Sequence, residues 1–139
     1  MSMENMIEMV LHQTESKQAT EQIALKVEAA CAKNSLALLQ TYIYHDIVES
    51  KGFPIQRKVF VYNICQAKTA AMMLTTNPEF STFMPCTLSV YEADGKTVLS
   101  TMNMGMMLET IQSNKELYDQ ASNLYKTFTQ MMDDLAVGE

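Results

Sequence analysis

Tryptophan is absent from the 139 residues, and the chain holds only three cysteines, three prolines, four glycines and two histidines. Three cysteines cannot pair completely, and none stands in a Cys-x-x-Cys, so a thioredoxin-type motif and a zinc knuckle are both excluded. A domain of this length buries roughly two-thirds of its unfolded surface without staples, and the expectation is free thiols in a reducing compartment. The few prolines and glycines are spread out, with no linker, repeat or low-complexity tract, so residues 1–139 read as one domain. Positive charge is scarce too. Ten Lys and Arg against sixteen Asp and Glu leave a net charge of −6 with no basic run, which excludes the phosphate-neutralising footprint of a nucleic-acid binder. No apolar run approaches the ~18 residues of a membrane span. Met1–His12 lacks the basic start and apolar core of an export leader. The expected location is the cytoplasm, or the periplasm if a leader has been removed. No Gly-rich phosphate loop, serine nucleophile elbow or paired metal-binding histidine motif occurs, so hydrolase, kinase and dinucleotide chemistry have no residues to stand on. A binding role is favoured over catalysis.

What is present is an apolar fraction of 47%, with thirteen methionines. Met6–Gln13 alternates loosely and reads as a half-buried strand. From about Thr14 the spacing turns helical through Ala19, Ile23, Val27 and Ala30, with a stop at Asn34. Residues 36–46 are rich in aromatic and β-branched side chains and predict a strand, followed by a helical turn from His45 to Lys51 that Gly52 ends. Arg57–Ile64 contains the apolar run Val59–Tyr62, the pattern of a strand covered on both faces. Helix spacing returns at Ala67, Ala70, Ala71 and Leu74 and ends before Asn77-Pro78. Thr87–Glu92 and Thr97–Met102 flank Asp94-Gly95, the strongest hairpin signal in the chain. A brief helix over Met106–Ile111 leads to Ser113–Glu116, read as a capping box. A long helix follows, with Leu117, Ala121, Leu124, Tyr125, Phe128, Met131 and Leu135 on one stripe. The resulting order is β-α-β-(short α)-β-α-β-β-α. The fold class is α+β, a single curved, mainly antiparallel sheet with helices packed on one face, its other face open or covered by a second copy.

His45-Asp46, Lys51-Gly52-Phe53, Val59–Val61, Asn63-Ile64-Cys65 and above all Met84-Pro85-Cys86-Thr87-Leu88-Ser89-Val90-Tyr91-Glu92 resemble the DUF302 family of small bacterial and archaeal domains. Its pattern has a cysteine at a strand end and a Leu/Met-Pro-Cys about twenty residues on, opening a strand that reads Val-Tyr-Glu. This chain departs in having Gln66-Ala67 where the family usually has Asn-Pro. The resemblance covers about half the chain. It implies a TATA-binding-protein-like α+β fold found as a homodimer, with no agreed activity.

Cys65 and Cys86 are the candidate functional thiols. A thiol at a helix N-terminus meets the positive end of the helix dipole. If both face one pocket, they can form a redox pair, carry a persulfide or bind a soft metal. The bland alternative is two small buried hydrophobes. Cys31, outside the family pattern, reads as core or rim. Met102–Met107 places four thioethers in six residues. With Cys65, Cys86 and Met84 these suit Cu(I), or line an adaptable pocket for an apolar ligand. His45, at a strand end after Tyr42 and Tyr44, is a candidate ligand or base, though a structural histidine is the simpler reading.

The expected site is thus Cys65, Met84, Cys86, Met104, Met106, Met107 and His45. The favoured function is a homodimer that binds a small ligand or soft metal ion. The rivals are a thiol redox or sulfur-carrier protein using Cys65 and Cys86, and a structural dimer without ligand.

Overall fold

A computed structural model describes residues 1–138. Its five strands are β1 (Leu11–Ser16), β2 (Ala37–Ile43), β3 (Val59–Cys65), β4 (Cys86–Ala93) and β5 (Lys96–Met102). They form one sheet in the order β1-β5-β4-β3-β2, every neighbouring pair antiparallel. The α+β expectation with a single antiparallel sheet therefore holds.

The helices are α1 (Met3–Val10), α2 (Thr20–Ala24), α3 (Val27–Lys33), α4 (Tyr44–Ser50), α5 (Ala67–Thr76), α6 (Gly105–Thr110) and α7 (Lys115–Val137), with a 3₁₀ helix over Pro78–Phe83. The N-terminus differs from the sequence reading. Residues 6–10 are helical rather than extended, and the strand starts at Leu11 and runs to Ser16, so the next helix begins at Thr20 rather than near Thr14. The physical reason is a cap: Ser2 accepts a hydrogen bond on its hydroxyl from the Asn5 amide at 3.1 Å. Met3, Met6, Ile7 and Val10 then repeat at helical spacing. A second correction concerns α7. Its N-cap is Asn114, whose side chain accepts from the Leu117 amide at 3.1 Å, in place of a Ser113–Glu116 box.

The hairpin stands as the Asp-Gly pair requires. Asp94 and Gly95 both take positive φ, 52° and 77°, between β4 and β5. Gly52, at φ 94°, closes α4 with its own amide bonded to Glu49 and that of Phe53 to Val48, the double bond of a Schellman turn.

Register decides which side chains share a face. Tyr62 pairs with Leu88, Phe60 with Val90 and Val90 with Leu99, and these point to the helices. There Leu88, Val90 and Leu99 join Ile23 of α2, Val27 and Cys31 of α3, and Leu124, Phe128, Met131 and Leu135 of α7 in one dry cluster. Each fully buried aliphatic side chain in it contributes about 1.5–3 kcal/mol of transfer free energy. Hydroxyls at its margin are satisfied: Thr20 bonds Thr97 at 2.8 Å, and Ser16 donates to the Ala136 carbonyl at 2.6 Å, tying β1 to the end of α7. The other face carries Val59, Val61, Val98 and Tyr91, half-buried within one chain, so the Val59–Tyr62 run is covered on one side only. Gln13 of β1 donates to the Tyr91 hydroxyl (3.0 Å) and to Ser100 (3.3 Å) on that face.

Candidate functional site

A second, smaller cluster lies beyond the main core. Met73 of α5, Ile111, and Leu117 and Ala121 of α7 are its buried members, with Phe80, Met84 and Met107 packed around them. Between the two clusters a cavity of about 620 Å³ opens at the end of the sheet where β3 ends, β4 begins and β5 ends. One wall comes from the main core (Ile64, Leu124, Phe128), the other from α5, the 3₁₀ helix and the start of α6.

Five of the seven site residues expected from sequence line this space: Cys65, Met84, Cys86, Met104 and Met107. Two do not. Met106 points into solvent at 72% exposure on α6. His45 sits on α4, where its Nδ1 accepts the Val59 amide at 3.0 Å and its ring meets Phe60 edge-on at 5.1 Å. That bond holds α4 against the β3 strand, the work of a structural histidine. Met102, the first thioether of the Met102–Met107 cluster, also lines the cavity, and Phe80, Phe83 and Met73 line it without any sequence expectation. The two phenylalanines lie within the Pro78-led segment just before Met84-Pro85-Cys86, the one sign the sequence offers.

The two thiols come from adjacent strands. Cys86 pairs with Ile64, the residue before Cys65, so they are offset by one position and are not direct cross-strand partners. Both are free. Cys86 packs against the main core, and burial, then the neighbouring Cys65, raises its thiol above the ordinary range. Cys31 lies deep in the core, where burial pushes its thiol up to about 11. Directly after Cys65, Gln66 stands at the N-cap of α5. Its carboxamide oxygen accepts from the Thr69 hydroxyl and from Gln120 of α7 at 3.1 Å, and this three-residue knot fixes α5 against α7 over the cavity.

The lining has two further properties. Seven of its residues carry sulfur: Cys65, Cys86 and the methionines at 73, 84, 102, 104 and 107. None carries a charge: among the described residues no Asp, Glu, Lys, Arg or His is present in the wall. The thiols and thioethers are soft donors beside neutral amide and hydroxyl oxygens, and among the described residues no group of three or more His, Cys, Asp or Glu gathers.

The sequence profile described as Domain of unknown function DUF302 matches residues 12–135. The chain belongs to the DUF302 family. The crystal structure of an uncharacterized conserved DUF302 protein from Bacillus stearothermophilus shares the fold at 20% identity and a TM-score of 0.74, covering 88% of this chain and 95% of that one. No curated protein matches. The DUF302 match begins at His12, so α1 lies ahead of the matched region, while every wall of the cavity lies inside it. No helix among the described residues is long and apolar enough to cross a membrane.

Proposed function

We propose that this DUF302 protein is a non-catalytic binding domain that holds a small molecule in the cavity between its two hydrophobic clusters. The observation that supports this best is the cavity itself: about 620 Å³, within the range of small-molecule sites, in a domain whose main core is otherwise packed dry. Methionine side chains are flexible and polarizable, so a methionine-lined wall adapts to its occupant. Cys65 and Cys86 give the same wall two thiols.

Native mass spectrometry of protein purified from its own cells without reductant tests the reading. The expected result is a bound small molecule on the wild type that is missing from Ala70→Phe, a substitution that fills the cavity from α5. An unliganded mass for both proteins overturns it. The same spectrum separates the two thiol-based alternatives. A copper adduct, an added sulfur or a lost pair of hydrogens marks Cys65 and Cys86 as a metal, sulfur-carrying or redox centre.

A homodimer is part of the proposal, with the outer sheet face as its contact. Val59, Val61, Val98 and Tyr91 lie together there, each half-buried within one chain. Val61→Glu is expected to shift the protein from dimer to monomer in light scattering, and an unchanged mass rules that face out.

A further inference from the structure

Small-molecule cavities often hold one charged side chain that fixes a ligand's charged group. This one holds none among the described residues: its polar wall groups, Asn63, Gln66, Tyr125 and the threonines at 69, 82, 87 and 101, are all neutral. Several of these are already engaged. Thr101 donates to the Thr87 carbonyl at 2.7 Å, and Thr69 and Gln66 bond one another. An anion entering such a space loses its hydration and gains no counter-charge, a cost that no rearrangement of thioethers and phenyl rings repays. For an anion the protein's net charge of −6 adds long-range repulsion.

The wall also has a positive preference. Three phenylalanines (Phe80, Phe83 and Phe128) and five methionines face the same volume. Sulfur–aromatic contacts and offset ring packing favour flat, polarizable occupants over saturated ones.

Building on the binding role proposed above, we infer that the ligand class is an uncharged aromatic or conjugated molecule, and that the cavity rejects organic acids of the same shape. It accepts the neutral form of a ligand by hydrophobic transfer and refuses the ionised form by desolvation.

A matched pair of fluorescent probes tests this: N-phenyl-1-naphthylamine, which is neutral, and 8-anilinonaphthalene-1-sulfonate, which has the same rings plus a sulfonate. Titrated into the full-length protein, the neutral probe is expected to bind at least about tenfold more tightly, the cost of burying an unpaired ion. Met102→Lys places a cation in the wall at a half-exposed position and is expected to narrow that ratio by strengthening sulfonate binding. Met106→Lys adds the same charge outside the cavity and is expected to leave the ratio as in the wild type. Equal affinities for the two probes overturn the neutral-ligand inference while leaving a binding cavity in place. So does an equal gain from both lysine variants, which makes the discrimination one of overall charge. If neither probe binds the wild type and Ala70→Phe changes nothing, the binding reading fails and the inference falls with it.

Discussion

The two hydrophobic clusters are built from different side chains and end in different states. The main one, under α2, α3 and the second half of α7, is dominated by Leu, Ile and Val at full burial, and it is closed. The smaller one, under α5, α6 and the first half of α7, has only four buried members and draws on Met72, Met73, Met84, Met107 and Phe80. The aliphatic residues of the first pack between the helices and a regular sheet face. Methionines on short helices and a 3₁₀ segment meet the end of the sheet, where the ladder no longer dictates spacing. The result is that stability resides in one region and space in the other.

Removing buried volume breaks this comparison most directly. Leu88→Ala, at the centre of the closed cluster, is expected to cost about 3 kcal/mol in chemical denaturation, whereas Met84→Ala in the cavity wall costs about 1 kcal/mol, because its neighbours already lack atoms on one side. Equal losses would mean the cavity closes in solution. Adding volume is the converse: Val90→Leu is expected to cost about 1–3 kcal/mol through overpacking, and Ala70→Leu less than about 1 kcal/mol because the new methylenes enter the cavity. Thermal melts of both variants check the difference.

The long helix spans both regions, and its cap anchors the looser one. Asn114→Ala is expected to lower stability by about 1 kcal/mol, with Ser113→Ala near neutral, and the reverse ranking would restore the capping box. The smallest effect lies at the surface. The Lys58 ammonium, 2.6 Å from the Glu21 carboxylate, holds that carboxyl below its ordinary value of 4.5. A lowered folded value gives a contribution that is present above the ordinary value and lost as pH falls through the folded one. The stability difference between wild type and Glu21→Gln should therefore be present at neutral pH and fade on acidification. A difference that does not shrink on acidification would remove Lys58 as the cause.

The strands from Ala37 onward, the Asp94-Gly95 hairpin and the stripe of α7 were legible because each is a local pattern with one reading. The first ten residues were not, because Met, Ile and Val at positions 6, 7, 9 and 10 fit both periods over so short a window, and the deciding signal was Ser2 outside it. For the site, sequence reaches the thiols and methionines as residue types, through the family pattern and through clustering. It does not reach the absence of charge around them. That property belongs to the closing of α5, α7 and the 3₁₀ helix over the sheet end, with the wall assembled from elements far apart in the chain.

The edge strand β2 slips register between Leu38 and Gln40, so its pairing with β3 resumes one step late. Any sixth strand arriving from another chain finds donors and acceptors out of phase after two residues, and a growing ladder stalls there. The irregularity thus disfavours strand addition along the β2 edge, one of the sheet's two edges.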